Sequence, residues 1–259
     1  MTRLLLRWLP AVGAFILVLA FWEGLVRVFD VQAFILPRPS AIIAAFVESW
    51  STIWPFAINT LIEAVGGFVI GTIAAIGLAF VATRWVTLGE GLLPFAVAAS
   101  AMPIVALAPI TNQWFTITSP VSKMAVVAVM VFFPVFVNTT RGLGEVDPRE
   151  LELMRSVAAT PTATFTSVRV PNALPFFFSA LKVASALSLI GAIVAEYFGG
   201  SQEVLGQYII SRASGFQFPE AWAAILLASL LGIAFYLVIL VAERVFMPWH
   251  VSMRTSGPG

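Results

Sequence analysis

Few side chains in this 259-residue chain could do chemistry, and their types exclude most reactions. There is no cysteine, so disulfides, thiol nucleophiles and cysteine metal sites are absent. The one histidine, His250, stands in a polar tail after the last apolar stretch and reads as a solvated or interfacial residue rather than a ligand or proton relay. Without histidine or cysteine inside the apolar stretches, an enzyme buried there lacks the usual nucleophile with its base, or a metal set. ATP hydrolysis would need Gly-x4-Gly-Lys-Ser/Thr, whose backbone amides cradle phosphates. The only lysines, Lys123 and Lys182, follow Ser and Leu, so the chain carries no such loop. Glu23 and Arg27, four residues apart on one helical face, read as an intrahelical ion pair. Glu63, Glu196 and Glu243 fall toward the ends of apolar stretches, where water or headgroups can reach them. Lys182 stands about two turns inside one and can extend its ammonium to the polar boundary. No file of carboxylates runs through the middle of the stretches, which leaves a proton-coupled carrier little support.

The elements that carry these residues must sit in a bilayer. The sequence is 60% hydrophobic and 10% charged with mean hydropathy +0.98, against roughly 45–50% apolar and ~25% charged for a soluble domain. A helix crossing a ~30 Å hydrocarbon core needs about 20 mostly apolar residues. Such stretches lie near 9–29, 58–82, 91–111, 124–140, 173–196 and 221–245, and they nearly exhaust the chain. They lack the period-two alternation of a barrel strand, so an all-α membrane protein with about six transmembrane helices follows. It divides into a first span and outer segment (1–57), a five-helix core (58–246) and a tail (247–259). Arg3 and Arg7 ahead of an apolar run resemble a secretory signal, but the run continues through Phe21 and Trp22 without a small-residue cleavage site, so it reads as a retained span. A net charge of +1 without a basic cluster argues against nucleic acid.

Counting cations against these spans assigns Arg3, Arg7, Arg84, Arg141, Arg149, Arg155, Arg169, Lys182, Arg244 and Arg254 to the side of the amino terminus, ten in all, and Arg27, Arg38, Lys123 and Arg212, four, to the other. Positive charge marks the cytoplasm, which predicts a multi-pass protein of the bacterial cell membrane with both termini cytoplasmic. The third span carries Pro94, Pro103 and Pro109, whose breaks leave carbonyls that need protein or water, either along a path or in a kinked packing helix. Pro103 and Pro109, with Ser185 and Ser188 of the fifth span, are the candidate path residues. Gly66, Gly67, Gly71 and Gly77 suit close helix crossing in the second span.

The connection at 141–172, RGLGEVDPRELELMRSVAATPTATFTSVRVPN, holds the strongest signal. Asp147 is an N-cap, Pro148 fits the first helical position, and Glu150 completes an Asp-x-x-Glu box. Leu151, Met154 and Val157 or Ala158 then recur at helical spacing opposite Arg149, Glu150, Glu152 and Arg155 until Pro161. The result is an amphipathic helix too short to cross. Such a stripe can lie on the membrane, pack under its own bundle or enter a groove on another protein. A polar face balanced between Arg and Glu favours the partner.

Glu152-Leu153-Met154, Ala158, Val168 and Val170-Pro171 resemble the EAA loop of ATP-binding-cassette importer permeases, Glu-Ala-Ala-x3-Gly-x9-Ile-x-Leu-Pro, with the spacing intact. Glu152 and Pro171 match, Val168 and Val170 are conservative, Leu153 and Met154 replace alanines, and Ala158 replaces glycine. With LPRPS at 36–40, AMPIVALAPI at 101–110 and IGAIVAEYFGG at 190–200, the resemblance covers nearly the whole chain and lies in the nitrate, sulfonate and taurine branch of type I permeases. LPFFFSALKVASALSLIGAIVAEYFGG is most similar to permeases for thiamine-pyrimidine precursors and riboflavin. The resemblance implies a type I permease fold with a cytoplasmic coupling helix, and two ATPase subunits that consume ATP and Mg and bind through Asp147, Leu151, Glu152, Met154, Ala158, Val168, Val170 and Pro171. It implies too an extracytoplasmic substrate-binding protein and a second permease subunit, identical or paired. No cofactor is expected in this chain. Riboflavin is the favoured cargo, then a thiamine-pyrimidine precursor, with sulfonate, taurine or nitrate as alternatives and a secondary carrier as the competing class.

Overall fold

Helix is the only regular structure among residues 2–248, which the computed structural model describes. The tail bearing His250 and Arg254 lies outside them. Helices α1 (Thr2–Val28), α2 (Pro39–Glu48), α3 (Trp50–Arg84), α4 (Val86–Ser100), α5 (Ala108–Phe115), α6 (Pro120–Gly144), α7 (Pro148–Ser156), α8 (Pro161–Thr164), α9 (Val170–Tyr197), α10 (Leu205–Ser214) and α11 (Phe218–Phe246) follow in order. Among the described residues five stretches are long and apolar enough to cross a membrane: Leu9–Val28, Trp50–Arg84, Pro120–Gly144, Pro161–Tyr197 and Phe218–Phe246.

The third expected span, 91–111, is not one helix. It breaks after Ser100, turns through a 3-10 segment at Ile104–Leu107 and resumes as α5. Pro103 and Pro109 have no amide to donate, so Pro103 closes only the 3-10 bond from the Ala106 amide to its carbonyl and Pro109 sits at the start of α5, where its missing N–H costs nothing. The second span starts earlier than expected, at Trp50, so residue 57 falls inside α3. Two short helices, α2 and α10, lie in the connections between spans.

Three helices make the centre. Val127, Val131 and Val135 recur every four residues on one buried face of α6, with Ala64, Ala75, Ala184 and Ala192 from α3 and α9. Small residues set how closely these helices meet. A Cβ added at Gly67 would lie 2.4 Å from the Val127 Cβ, and one at Gly71 2.4 Å from the Ala128 carbonyl oxygen. Gly66 abuts Met124, whereas Gly77 has nothing within 4 Å, so three of the four glycines serve the crossing and the fourth does not.

These pairings fix direction. α3 and α6 run parallel, while α9 runs antiparallel to α6, because Gly142 meets Ala173 and Phe176 and Gly191 meets Met130. Lys182 meeting Glu243 while Leu189 meets Gly232 makes α11 antiparallel to α9. One end of the bundle therefore gathers Arg84, Arg141, α7, Arg169 and Arg244. The other gathers Lys123, Glu196 and α10.

Candidate functional site

At the cation-rich end α7 projects between α6 and the rod that begins at Pro161. The Asp147 carboxylate accepts a hydrogen bond from the Arg149 amide at 2.9 Å, as an N-cap should. The reciprocal bond of a capping box is not among those of the described residues, and Glu150 is exposed. Val146, buried just before the cap, and half-buried Leu151 occupy the two positions of a hydrophobic staple.

α7 ends at Ser156, two turns and a half after it starts, and closes as a Schellman motif. The Ala159 amide donates to the Met154 carbonyl at 2.9 Å and the Ala158 amide to that of Arg155 at 3.0 Å, with Ala158 at φ +50°. Glycine adopts that left-handed conformation without the Cβ penalty. Pro161 does more than end the pattern, because it starts a new helix capped by Thr160, whose hydroxyl accepts from the Ala163 amide at 3.2 Å.

The stripe on α7 divides. Leu151 and Met154 are half-buried toward their own chain, whereas Leu153 and Val157 are 63% and 65% exposed. Glu152 and Ala158 are also exposed, and Val168, Val170 and Pro171 are half-buried. Leu153, Met154, Val168, Pro171 and Asn172 line a groove of about 330 Å³.

The rod continues from Pro161 to Tyr197, about 55 Å at 1.5 Å per residue, so it outreaches the hydrocarbon. It passes Pro171 by widening: residues Phe165–Arg169 form a π turn in which the Val170 amide reaches the Phe165 carbonyl, making room for a residue that cannot donate. Its base is tied to the end of α6. Asn172 donates to the carbonyls of Gly142 and Glu145 at 2.8 and 3.0 Å, and Arg169 to that of Leu143 at 3.2 Å. These two residues satisfy carbonyls that a helix end leaves orphaned. The sequence signal was present, a cation and an amide 26 to 30 residues after the carbonyls they cap, but nothing local points to the partner.

The four candidate path residues differ in exposure. Ser185 and Ser188 are fully buried within the chain and donate to the carbonyls of Lys182 and Ser185. Pro103 and Pro109 are exposed at the broken span.

Four charged residues, Lys182, Glu243, Glu63 and Glu196, also stand where spacing did not place them. Lys182 does not extend to the boundary; its ammonium meets both oxygens of buried Glu243, at 3.0 and 2.9 Å. Glu63 and Glu196 are out of reach of water, at 4% and 0% exposure, beside Lys123 at 1%. Ser122 and Lys123 both donate to the Asn112 side-chain oxygen, at 2.6 and 3.1 Å. Glu196 accepts from the Gly206 amide at 2.6 Å. The Glu23–Arg27 pair forms as expected, and Glu23 additionally accepts from the amide and hydroxyl of Ser40, which starts α2 on α1. Among the described residues no group of three or more ligating side chains could hold a metal.

Comparison with known proteins agrees with this arrangement. The pattern of the "Binding-protein-dependent transport system inner membrane component" family matches residues 67–249. The chain is 32% identical to the formylaminopyrimidine transport permease protein ThiX of Halalkalibacterium halodurans, over 91% of this chain and 94% of that one. It is 31% identical to the riboflavin transport system permease protein RibX of Chloroflexus aurantiacus, over 94% and 92%. It is 27% identical to the putative aliphatic sulfonates transport permease protein SsuC of Escherichia coli, over 94% of each. A solved amino acid ABC transporter shares the fold, with a TM-score of 0.62 at 16% identity over 77% of this chain and 96% of its own. A membrane bundle without a nucleotide loop, with a capped helix projecting at one end and a family match across most of its length, belongs to the binding-protein-dependent transport system inner membrane components, as a permease subunit of an ATP-binding-cassette importer.

Proposed function

We propose that this permease imports a planar nitrogen heteroaromatic, riboflavin or a thiamine-pyrimidine precursor, as one of two identical subunits driven by two separate ATPases and supplied by an extracytoplasmic binding protein. The observation that carries the coupling reading is α7: two exposed apolar side chains, Leu153 on a nine-residue helix and Val157 at its C-cap, flanked by Arg149, Glu152 and Arg155, ahead of a 37-residue rod. Apolar tips ringed by charge suit a groove on another protein. A displacement applied to α7 passes through the Asn172 and Arg169 ties into both α6 and α9. Magnesium and ATP act in the partner, with both termini of this chain on the same cytoplasmic side. The prolines of the broken span, Pro103 and Pro109, face outward where a second copy would enclose a path.

Replacing Val157 with Asp places a carboxylate in the docked groove without touching the bundle. The variant should reach the membrane at wild-type level and lose both ATPase pull-down and uptake. Retention of both defeats the coupling assignment.

The cargo reading rests on the two relatives near 30% identity whose named substrates are both flat heteroaromatic rings, a chemistry suited to aromatic stacking. Labelled riboflavin and formylaminopyrimidine, offered in parallel to cells carrying the complete transporter, decide between them. Accumulation of an aliphatic sulfonate instead of either ring would overturn it.

A further inference from the structure

Two cavities adjoin in the crevice between α3 and the rod, at the end of the bundle that carries α7. The two helices run antiparallel there, and Phe80 and Phe165 meet across the crevice edge to face, with ring centres 5.6 Å apart. Each ring is followed four residues later by an arginine, Arg84 on α3 and Arg169 on the rod, so each cation stands on the face of its helix that meets the other. A cavity of about 600 Å³ gathers Phe80, Thr83, Arg84, Thr162, Phe165 and Arg169. Arg84 is exposed, and Arg169 gives one N–H of its five to the Leu143 carbonyl. Among the described residues neither guanidinium forms an ion pair. The second cavity, about 140 Å³, shares Phe80 with the first and is walled by Ile76, Val170, Leu174 and Phe177. Ile76 stands one turn before Phe80, and Leu174 and Phe177 follow Arg169 along the rod, so the apolar cavity lies deeper in the bundle than the charged one. Trp85, next to Arg84 and 55% exposed, is a side chain of the kind that sits at headgroup level. The charged cavity thus stands at the polar boundary of the bilayer and the apolar one in its hydrocarbon.

We propose that this crevice binds one anionic glycerophospholipid, its phosphodiester held between Arg84 and Arg169 and an acyl chain laid past Phe80 into the apolar cavity. The planar guanidinium fork matches phosphate oxygens in geometry as well as charge. A zwitterionic headgroup would bring an ammonium of its own beside two cations, so the net charge of the lipid matters. A free phosphate would use the guanidinium groups alone, whereas a lipid uses both cavities, and their order along the helices is the order of headgroup and chain. The bound lipid joins the end of α3 to the π turn of the rod, where Arg169 already ties the rod to the end of α6. All three central helices are then linked at the level from which α7 projects.

Photolabelling places the lipid directly. Phosphatidylglycerol with a diazirine in one acyl chain, dilute in phosphatidylcholine nanodiscs that hold the assembled permease, should label segments 76–80 and 170–177 on illumination. Unlabelled phosphatidylglycerol should compete, while phosphatidylethanolamine and inorganic phosphate should not. Arg84→Gln alters an exposed side chain at a helix end, so the variant should assemble as wild type does, and its labelling should fall about fivefold, the worth of one cation beside an anionic headgroup. Arg84→Lys keeps the charge and should keep most of the labelling. Competition by inorganic phosphate as effective as that by phosphatidylglycerol would make the crevice a free-anion site and overturn the lipid. Equal labelling by a phosphatidylcholine probe, or labelling unchanged in Arg84→Gln, would overturn the charged headgroup site.

Discussion

Ala158 shows how one position carries a backbone demand that its side chain does not advertise. Its φ of +50° closes the Schellman turn after α7, and a residue with a Cβ pays roughly 1–2 kcal/mol for the left-handed conformation. Ala158→Gly should therefore steady the turn by about 1 kcal/mol, read as slower hydrogen exchange at residues 157–160 with ATPase binding retained. Lys182 and Glu243 make the opposite case, where the side chains are the point. Removing the cation leaves a buried carboxylate without its two hydrogen bonds, so Lys182→Ala should destabilise the fold by about 3 kcal/mol, measured as loss of thermal stability in detergent, while Lys182→Ala with Glu243→Ala should recover part of it. A double variant no more stable than the single would show that the pair does not act as a unit.

Among the elements, the crossing of α3 and α6 is decided by absent side chains. Gly67→Ala forces a methyl to 2.4 Å from Val127, an overpacking expected to cost about 1–3 kcal/mol. Gly77→Ala meets open space and should be neutral or slightly stabilising, since alanine is the better helix former. The two substitutions differ only in where the helix places them, so comparing their melting temperatures separates packing from propensity. The same reasoning explains why the third span broke while the fifth did not. Pro103 and Pro109 interrupt a short stretch with no widened turn beside them, whereas the π turn ahead of Pro171 absorbs the lost bond and keeps the rod continuous.

For the whole molecule, the prediction concerns which end faces the cytoplasm. The bundle collects most of its arginines beside α7, and the positive-inside rule places that end in the cell. Since the chain has no cysteine, a single one at position 145 should be shielded from an impermeant maleimide in intact cells and one at 202 should react; strong labelling at 145 would invert the orientation. Much of this was legible without coordinates. Apolar runs set the crossings because a bilayer admits few alternatives, and the cap at Asp147 with proline after it announced α7 because capping is local chemistry within four residues. The direction of the α7 stripe was not legible: Leu153 and Val157 are left outside while Leu151 and Met154 are half-buried, because which face is covered depends on the rest of the bundle and not on the helix's own spacing. Nor was the burial of Glu63, Lys123 and Glu196, which lie 60 and 73 residues apart along the chain. Each alone reads as a charge near a span end with water at hand. Only the parallel packing of α3 on α6 and the antiparallel return of α9 bury them at one end of the bundle, since burial is a property of neighbours and not of position in a sequence.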